Sequence, residues 1–383
     1  MLDKPVGADA WLDPDGGDPA ALAAWQERAA LTDLAPGAAE IVRGVPIYDG
    51  ARIEAADPRA VTGEWGRVLS HGAGVFAVRG ALRDRALLDA VTATLLDLIE
   101  REARSGGVAG DHFAAAGSNA RLWNAHEKLA LADPAAFVRY ASAPTLHLAS
   151  EAWLGPGYQI TAQVNLVRPG GAAQTGHRDY HMGFQQADVL ARYPAHVHAM
   201  SPMLTLQGAI AHTAMPTESG PTKLLPGSHH YPAGYLHFPR ADFQAWFEER
   251  HVQVPLEAGD ALFFSPALFH AAGENRTTDH DRMANLFQVS SAYGRPMEWL
   301  DRTAMCRAVY PNLAALDEAT RARAVAATAD AYPFPTDLDR DPPENGMAPL
   351  SQADLLTRAV DKGWSEATLA EALRDHGAKR GMV

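Results

Sequence analysis

Gln174-Thr175-Gly176-His177-Arg178-Asp179-Tyr180-His181 is the stretch on which the reading of this chain turns. It follows a strand-like run from Tyr158 to Val167 and a turn at Pro169-Gly170-Gly171. In extended backbone, residues i and i+2 point the same way. His177 and Asp179 therefore present an imidazole and a carboxylate side by side. A second imidazole from elsewhere would complete a facial set of two histidines and one carboxylate, which holds Fe(II) and leaves positions open. A chain with 16 histidines offers such pairs by chance, so the residues downstream of the pair carry the weight.

Downstream come Glu218-Ser219-Gly220 and Leu225-Pro226-Gly227-Ser228-His229, then Gly259-Asp260, then His270-Ala271-Ala272-Gly273-Glu274-Asn275. Arg282 follows, at the head of the apolar run from Met283 to Ser291. This order resembles the phytanoyl-CoA dioxygenase family of Fe(II)/2-oxoglutarate oxygenases. The family pattern runs H-x-D, E-x-G…L-P-G-S-H, G-D…H-x-x-G-x-N, then a lone arginine in the last strand. The resemblance covers 158–292.

The resemblance implies that His270 is the third iron ligand beside His177 and Asp179. It implies that Arg282 clamps the far carboxylate of 2-oxoglutarate, a task suited to a planar guanidinium that donates two parallel hydrogen bonds. Arg276 is the competitor. Spacing and the strand beginning at Met283 favour Arg282, while Arg276 falls in a turn with Asn275 and Thr277. The strand before the H-x-D motif alternates, with Gln159, Thr161, Gln163 and Asn165 on one face. That polar face meets either solvent or the barrel interior; relatives use polar residues of this strand for the cosubstrate, so Gln163 or Asn165 is a candidate. Thr175 shares the ligands' face and is another. His212 stands where relatives often carry an aromatic residue near the cosubstrate, a departure that implies a changed pocket. His181 is expected to reach the substrate, and His229 and His230 to serve a turn. His196-x-His198 lacks the glutamate of a cupin half-motif.

The implied chemistry is C–H hydroxylation of a small metabolite or natural-product intermediate by molecular oxygen, with release of succinate and CO2. Asp179 favours hydroxylation, desaturation or cyclisation, because the related halogenases lack that carboxylate. Two rivals stand beside it. One is a metal-dependent jelly-roll enzyme without 2-oxoglutarate, either a dioxygenase or an isomerase; the other is a non-catalytic barrel acting as a binding module.

Composition limits the other classes. The chain has 383 residues, 47% hydrophobic and 21% charged, which suits a globular enzyme. A formal charge of −13 without a basic run offers no surface to neutralise phosphates, so no nucleic-acid partner is expected, nor a site for coenzyme A. The single Cys306 excludes an internal disulfide and cysteine-based metal sites. No apolar run reaches the ~20 residues that span a bilayer. The first residues lack the pattern of a signal peptide, so a cytoplasmic enzyme is expected.

Short apolar strands separated by Gly, Pro and Asn begin at Tyr158. The expected fold is mainly β with helical flanks: a double-stranded β-helix, a jelly-roll or cupin-like barrel, wrapped by α-helices. One enlarged catalytic domain would span 1–383. Residues 1–157 form a helical flank with a few strands, 158–292 the core with a helical insert at 241–250, and 293–383 a helical extension. Helices are expected at Ala20–Leu31, Pro58–Ser70, Arg83–Arg104, Thr145–Leu154, Met297–Val309, Leu313–Ala327, Ser351–Asp361 and Ser365–His376, with a further one starting at Asp133-Pro134. Strands are expected at Gly72–Val78, Arg121–Asn124 and Val252–Leu256, and a loop at Gly106–Gly117.

Overall fold

The computed structural model describes residues 10–29, 32–104 and 119–381; the loop expected at Gly106–Gly117 lies outside them. The strands are β1 (Glu40–Val42), β2 (Val45–Asp49), β3 (Val75–Arg79), β4 (Asn119–Leu122), β5 (Gln159–Val167) and β6 (Thr205–Ala211), followed by β7 (Lys223–Leu225), β8 (Val252–Gln253), β9 (Ala261–Phe264), β10 (Phe269–Ala271) and β11 (Arg282–Ser290). A major sheet runs β1-β2-β3-β9-β6-β11-β5-β4, and a minor sheet β10-β7-β8. All neighbours are antiparallel except β2 and β3. The H-x-D stretch extends the minor sheet through an antiparallel bridge between His177 and His270. These two sheets enclose one cavity, giving the double-stranded β-helix. Four of the major-sheet strands come from upstream of residue 158, so the sheet is wider than the expected core. β1 and β2 were not legible as strands: β1 has three residues, and β2, Val45-Pro46-Ile47-Tyr48-Asp49, carries a proline that speaks against a strand.

Period-two alternation divides the major sheet into two faces. On β5, Ile160, Ala162, Val164 and Leu166 join the main hydrophobic core. On β11 Met283, Phe287 and Val289 do the same, as do Leu206 and Ile210 on β6 and Ala261 and Phe263 on β9. Helices cover this face. In helix Arg85–Arg104, Leu87, Leu88, Val91, Leu95 and Ile99 are buried at helical spacing, whereas Leu96 is exposed. Each such side chain, fully buried, stabilises the fold by about 1.5–3 kcal/mol.

Asp-Pro pairs start two helices, the one at Asp133-Pro134 as expected. Asp57 accepts from the amides of Arg59 and Ala60 ahead of helix Pro58–His71, and Asp133 accepts from Ala136 ahead of helix Pro134–Tyr140. The helix expected from Met297 begins only at Arg302, capped by Asp301. The last two helices, Gln352–Asp361 and Glu366–Lys379, place Leu356, Ala359, Leu369 and Leu373 in the main core. Among the described residues no helix is long and apolar enough to cross a membrane.

Several motif residues hold the barrel corners. Asp260 accepts from Arg79 Nη1 at 2.8 Å, from the Gly80 amide at 2.7 Å and from the Glu257 amide at 2.8 Å. Gly259 before it has φ +94°, and a Cβ there would lie 2.3 Å from the Leu82 carbonyl oxygen. Asn275 is fully buried; its amide donates to the carbonyls of Val167 and His280, and its oxygen accepts from Thr277. We expect Asp260→Ala to destabilise the protein by roughly 2–3 kcal/mol, because it strands two backbone donors and a guanidinium. Denaturant unfolding would show this as a lower midpoint at unchanged slope; an unchanged midpoint would refute the assignment.

Candidate active site

His177 and His270 are held opposite each other by reciprocal backbone hydrogen bonds, His177 N to His270 O at 2.9 Å and the reverse at 3.1 Å. Their ring centroids lie 4.5 Å apart. The Asp179 amide donates to Pro266 O at 3.0 Å, which fixes the third residue to the same neighbouring segment. Behind them sits the 241–250 insert, a helix at Ala241–Arg250. Its Gln244 amide donates to Gly176 O at 2.7 Å, and its buried Phe247 packs so closely that a Cβ on Gly176 would meet it at 2.6 Å. This helix buttresses the H-x-D stretch from outside. Arg178, between His177 and Asp179, is buried, donates to the carbonyls of Ser228 and Tyr231, and lies over Tyr235 and Phe269. It ties the H-x-D stretch to the Pro-Gly-Ser-His segment.

Each histidine has its tautomer set by a carbonyl. His177 Nδ1 is 2.8 Å from Thr175 O, and His270 Nδ1 is 2.8 Å from Leu268 O. Protons on Nδ1 leave the Nε2 lone pairs facing Asp179, whose carboxylate oxygens lie 3.6 Å from His177 Nε2 and 3.4 Å from His270 Nε2. One ligand atom from each of the three residues lies within 4.8 Å of the others. Burial lowers the His177 pKa, keeping that ring neutral and ligand-ready. The Gln207 side-chain amide donates to the Asp179 carboxylate from the opposite sheet. Two neutral imidazole nitrogens and one carboxylate are the donor set that suits non-haem Fe(II).

The cavity behind this triad measures about 620 Å³. Alternation puts Gln163 and Asn165 of β5 on its wall, with Gln207 and Ala209 of β6 and Arg282, Ala284, Leu286 and Gln288 of β11. The polar face of β5 therefore turns inward, and Thr175 lies at the rim. Arg282 also lines the cavity; its Nη1 donates to Gly273 O at 3.2 Å. Among the described residues no carboxylate lies within ion-pair distance of it, and burial lowers its pKa to about 10, which still leaves it cationic. A buried guanidinium without an acid is costly unless an anion arrives. Arg276 is exposed, as its turn position predicted.

Three expectations are corrected. His212 does not line the cavity: it follows β6 in phase with Leu206 and Ile210, so it points into the helical layer. There its ring nitrogens lie 2.7 Å from Thr92 Oγ1 and 2.9 Å from Tyr140 Oη, and burial lowers its pKa to about 3. His181 does not reach the cavity either; its nitrogens lie against Arg295 O and Thr205 Oγ1. Met297, read as helical, sits in irregular chain and lines the cavity, its sulfur 3.5 Å from Gln163 Nε2. Gln207, Gln288, Arg121 and Trp123 line the cavity and went unread. Arg121 was detectable in principle, since β4 pairs it with Asn165; nothing local in the run Thr205–Ala211 marks Gln207.

Residues 70–284 match the family described as phytanoyl-CoA dioxygenase (PhyH). Dioxygenase cdmD of Talaromyces verruculosus is 31% identical over 144 residues, 38% of this chain and 42% of that protein. Dioxygenase olcK of Penicillium canescens is 31% identical over 159 residues, 40% of this chain and 47% of that protein. The chain thus spans less than half the length of either curated relative. A solved non-heme alpha ketoglutarate dependent epimerase, SnoN from nogalamycin biosynthesis, overlays at TM-score 0.44 with 21% identity, over 62% of this chain and 82% of that one. The match from residue 70 to 284 is more than half of the chain and takes in the cavity from β3 to Ala284, which makes this chain a member of the phytanoyl-CoA dioxygenase family.

Proposed function

We propose that this chain hydroxylates a C–H bond of a small metabolite or natural-product intermediate, consuming 2-oxoglutarate and O2 and releasing succinate and CO2. His177 and His270, through Nε2, and Asp179, through a carboxylate oxygen, would hold Fe(II). Arg282 would take the far carboxylate of 2-oxoglutarate, with Gln163 and Asn165 as polar neighbours along the same wall and Thr175 on the H-x-D side of the cavity. The observation that carries this reading is the meeting, in one cavity, of an iron-type donor set and a buried guanidinium that has no acidic partner among the described residues. Bound iron supplies the oxygen activation, and the protein supplies position and a dry wall. Asp179 occupies the place that must be vacant for a halide, which favours hydroxylation over halogenation.

The walls suggest the substrate's character. Trp123, Phe184, Phe238, Leu262, Phe264 and Met297 contribute a mostly apolar lining. The volume falls within the about 300–1,000 Å³ typical of small-molecule sites, and 2-oxoglutarate fills only a part of it. A compact, largely apolar molecule with a few polar groups fits the remainder. The test is anaerobic addition of Fe(II) and 2-oxoglutarate to metal-free protein. A weak visible charge-transfer band is expected from the chelate. Iron binding without that band would overturn the 2-oxoglutarate reading in favour of a barrel enzyme that needs no cosubstrate.

A further inference from the structure

Asp179 sits on the minor-sheet side of the cavity, yet the side chain that grips it comes from the middle of the major sheet. Gln207 is a central residue of β6, paired with Gln288 of β11 on one side and Phe264 of β9 on the other. Its Nε2 donates to Asp179 Oδ2 at 2.5 Å, spanning the two sheets. The direction of this bond is not arbitrary. An ionised carboxylate only accepts, so the NH2 end of the amide must face it.

The histidines do not share this work. Their Nδ1 protons are committed to Thr175 O and Leu268 O, so each Nε2 facing Asp179 is an acceptor. Among the described residues, Gln207 is therefore the one side-chain donor that orients the Asp179 carboxylate. It also engages a single oxygen, Oδ2, leaving Oδ1 without a side-chain hydrogen bond among the described residues. Both groups are well placed for a rigid tie: Gln207 is buried in a paired strand, and Asp179 is anchored by its own amide to Pro266.

We propose that Gln207 is a positioning residue that holds Asp179 to metal ligation through one oxygen. The inference rests on the iron-binding reading above. A carboxylate free to turn could present both oxygens and fill an extra coordination position. With Oδ2 engaged it fills one, and positions stay open for the two donor atoms of the 2-oxo acid and for oxygen. Partners of this kind typically carry 10–100-fold in metal affinity.

Gln207→Met tests this, because methionine keeps the length and approximate volume of glutamine and lacks the donor. Metal-free wild type and variant would be titrated anaerobically with Fe(II), followed by 2-oxoglutarate, reading affinity by calorimetry and the charge-transfer band by absorbance. We expect Gln207→Met to bind Fe(II) about 10–100-fold more weakly and its chelate band to shift or fade. Gln352→Met, the same change at a buried glutamine outside the cavity, should hold Fe(II) as wild type does. Equal Fe(II) affinity and an unchanged band in Gln207→Met would overturn the proposal, as would an equal loss in Gln352→Met. Should Gln207→Met fail to fold, Gln207→Asn, whose amide is one methylene short of Asp179, replaces it with the same two outcomes. If wild type itself gives no band, the 2-oxoglutarate reading fails, which is a different result from a band that Gln207 does not influence.

Discussion

Asp179→Ala is expected to lose 2-oxoglutarate turnover altogether, and to lose Fe(II) affinity by more than the 10–100-fold that removal of a supporting partner costs. The change removes the one anionic ligand of the cluster and leaves two neutral imidazoles, His177 Nε2 and His270 Nε2, which with two donors and no negative charge hold Fe(II) weakly. The backbone that holds the cluster should survive. The His177–His270 bridge and the Asp179 amide bond to Pro266 are made by main-chain atoms, and Arg178 keeps its carbonyl acceptors and aromatic neighbours. The loss would therefore be read as missing succinate and weak iron binding in a protein with a wild-type circular dichroism spectrum. Asp179→Ala that still released succinate at the wild-type rate would remove Asp179 from the metal site and with it the reading of the whole stretch.

How much of this was legible beforehand depends on how local the signal is. The H-x-D pair shares a face by backbone geometry alone, and the polar face of β5 shows itself through strict alternation from Gln159 to Asn165. Both needed only a few consecutive residues. His270 and Arg282 were found through the order of motifs around them, and the structure explains why those motifs travel together. Gly220 and Gly273 pack so tightly that a Cβ on Gly273 would lie 2.8 Å from Gly220 Cα. Ser228 Oγ accepts from the Phe269 amide at 2.8 Å, one residue before His270. The glycines and serine of the pattern are thus the fittings that bring the second histidine to the first.

What escaped was set by partners distant in sequence. His212 was placed in the cavity by analogy of position; its phase on β6, shared with Leu206 and Ile210, decides otherwise. Gln207 is one amide in an apolar strand, and its role exists only because Asp179, on the other sheet, comes within reach. The strands β1 and β2 are so short that their membership in the major sheet depends on β3, itself ordered by pairing with β9. Met297 continues an amphipathic pattern, but the chain enters a helix only where Asp301 supplies the cap.

Arg282→Met should separate ligand binding from folding in opposite directions. In wild type the guanidinium is buried in the cavity wall, bonded to Gly273 O and lacking an acidic partner among the described residues. Keeping a charge there without a counter-ion costs stability, and exchanging it for an apolar side chain of similar length removes that cost. The unliganded variant should therefore unfold at a denaturant concentration equal to or above that of wild type. Its response to 2-oxoglutarate should shrink to about a third of the wild-type response or less. Truncating one partner of a buried charged hydrogen-bonded pair costs about 2–5 kcal/mol, which at 1.4 kcal/mol per tenfold is roughly 30-fold or more in cosubstrate affinity. Wild type with Fe(II) and 2-oxoglutarate at 100 times its dissociation constant gains about 2.7 kcal/mol; the variant at the same concentration should gain about 0.9 kcal/mol or less. Arg282→Lys should fall between the two, since an ammonium keeps the charge and loses the two-pronged fit to a carboxylate. Fe(II) binding, made by residues that Arg282 does not hydrogen-bond, should stay at the wild-type level in both. A variant that is less stable without ligand, yet is still stabilised by 2-oxoglutarate as wild type is, would show Arg282 to be a structural cation and move the clamp elsewhere in the cavity.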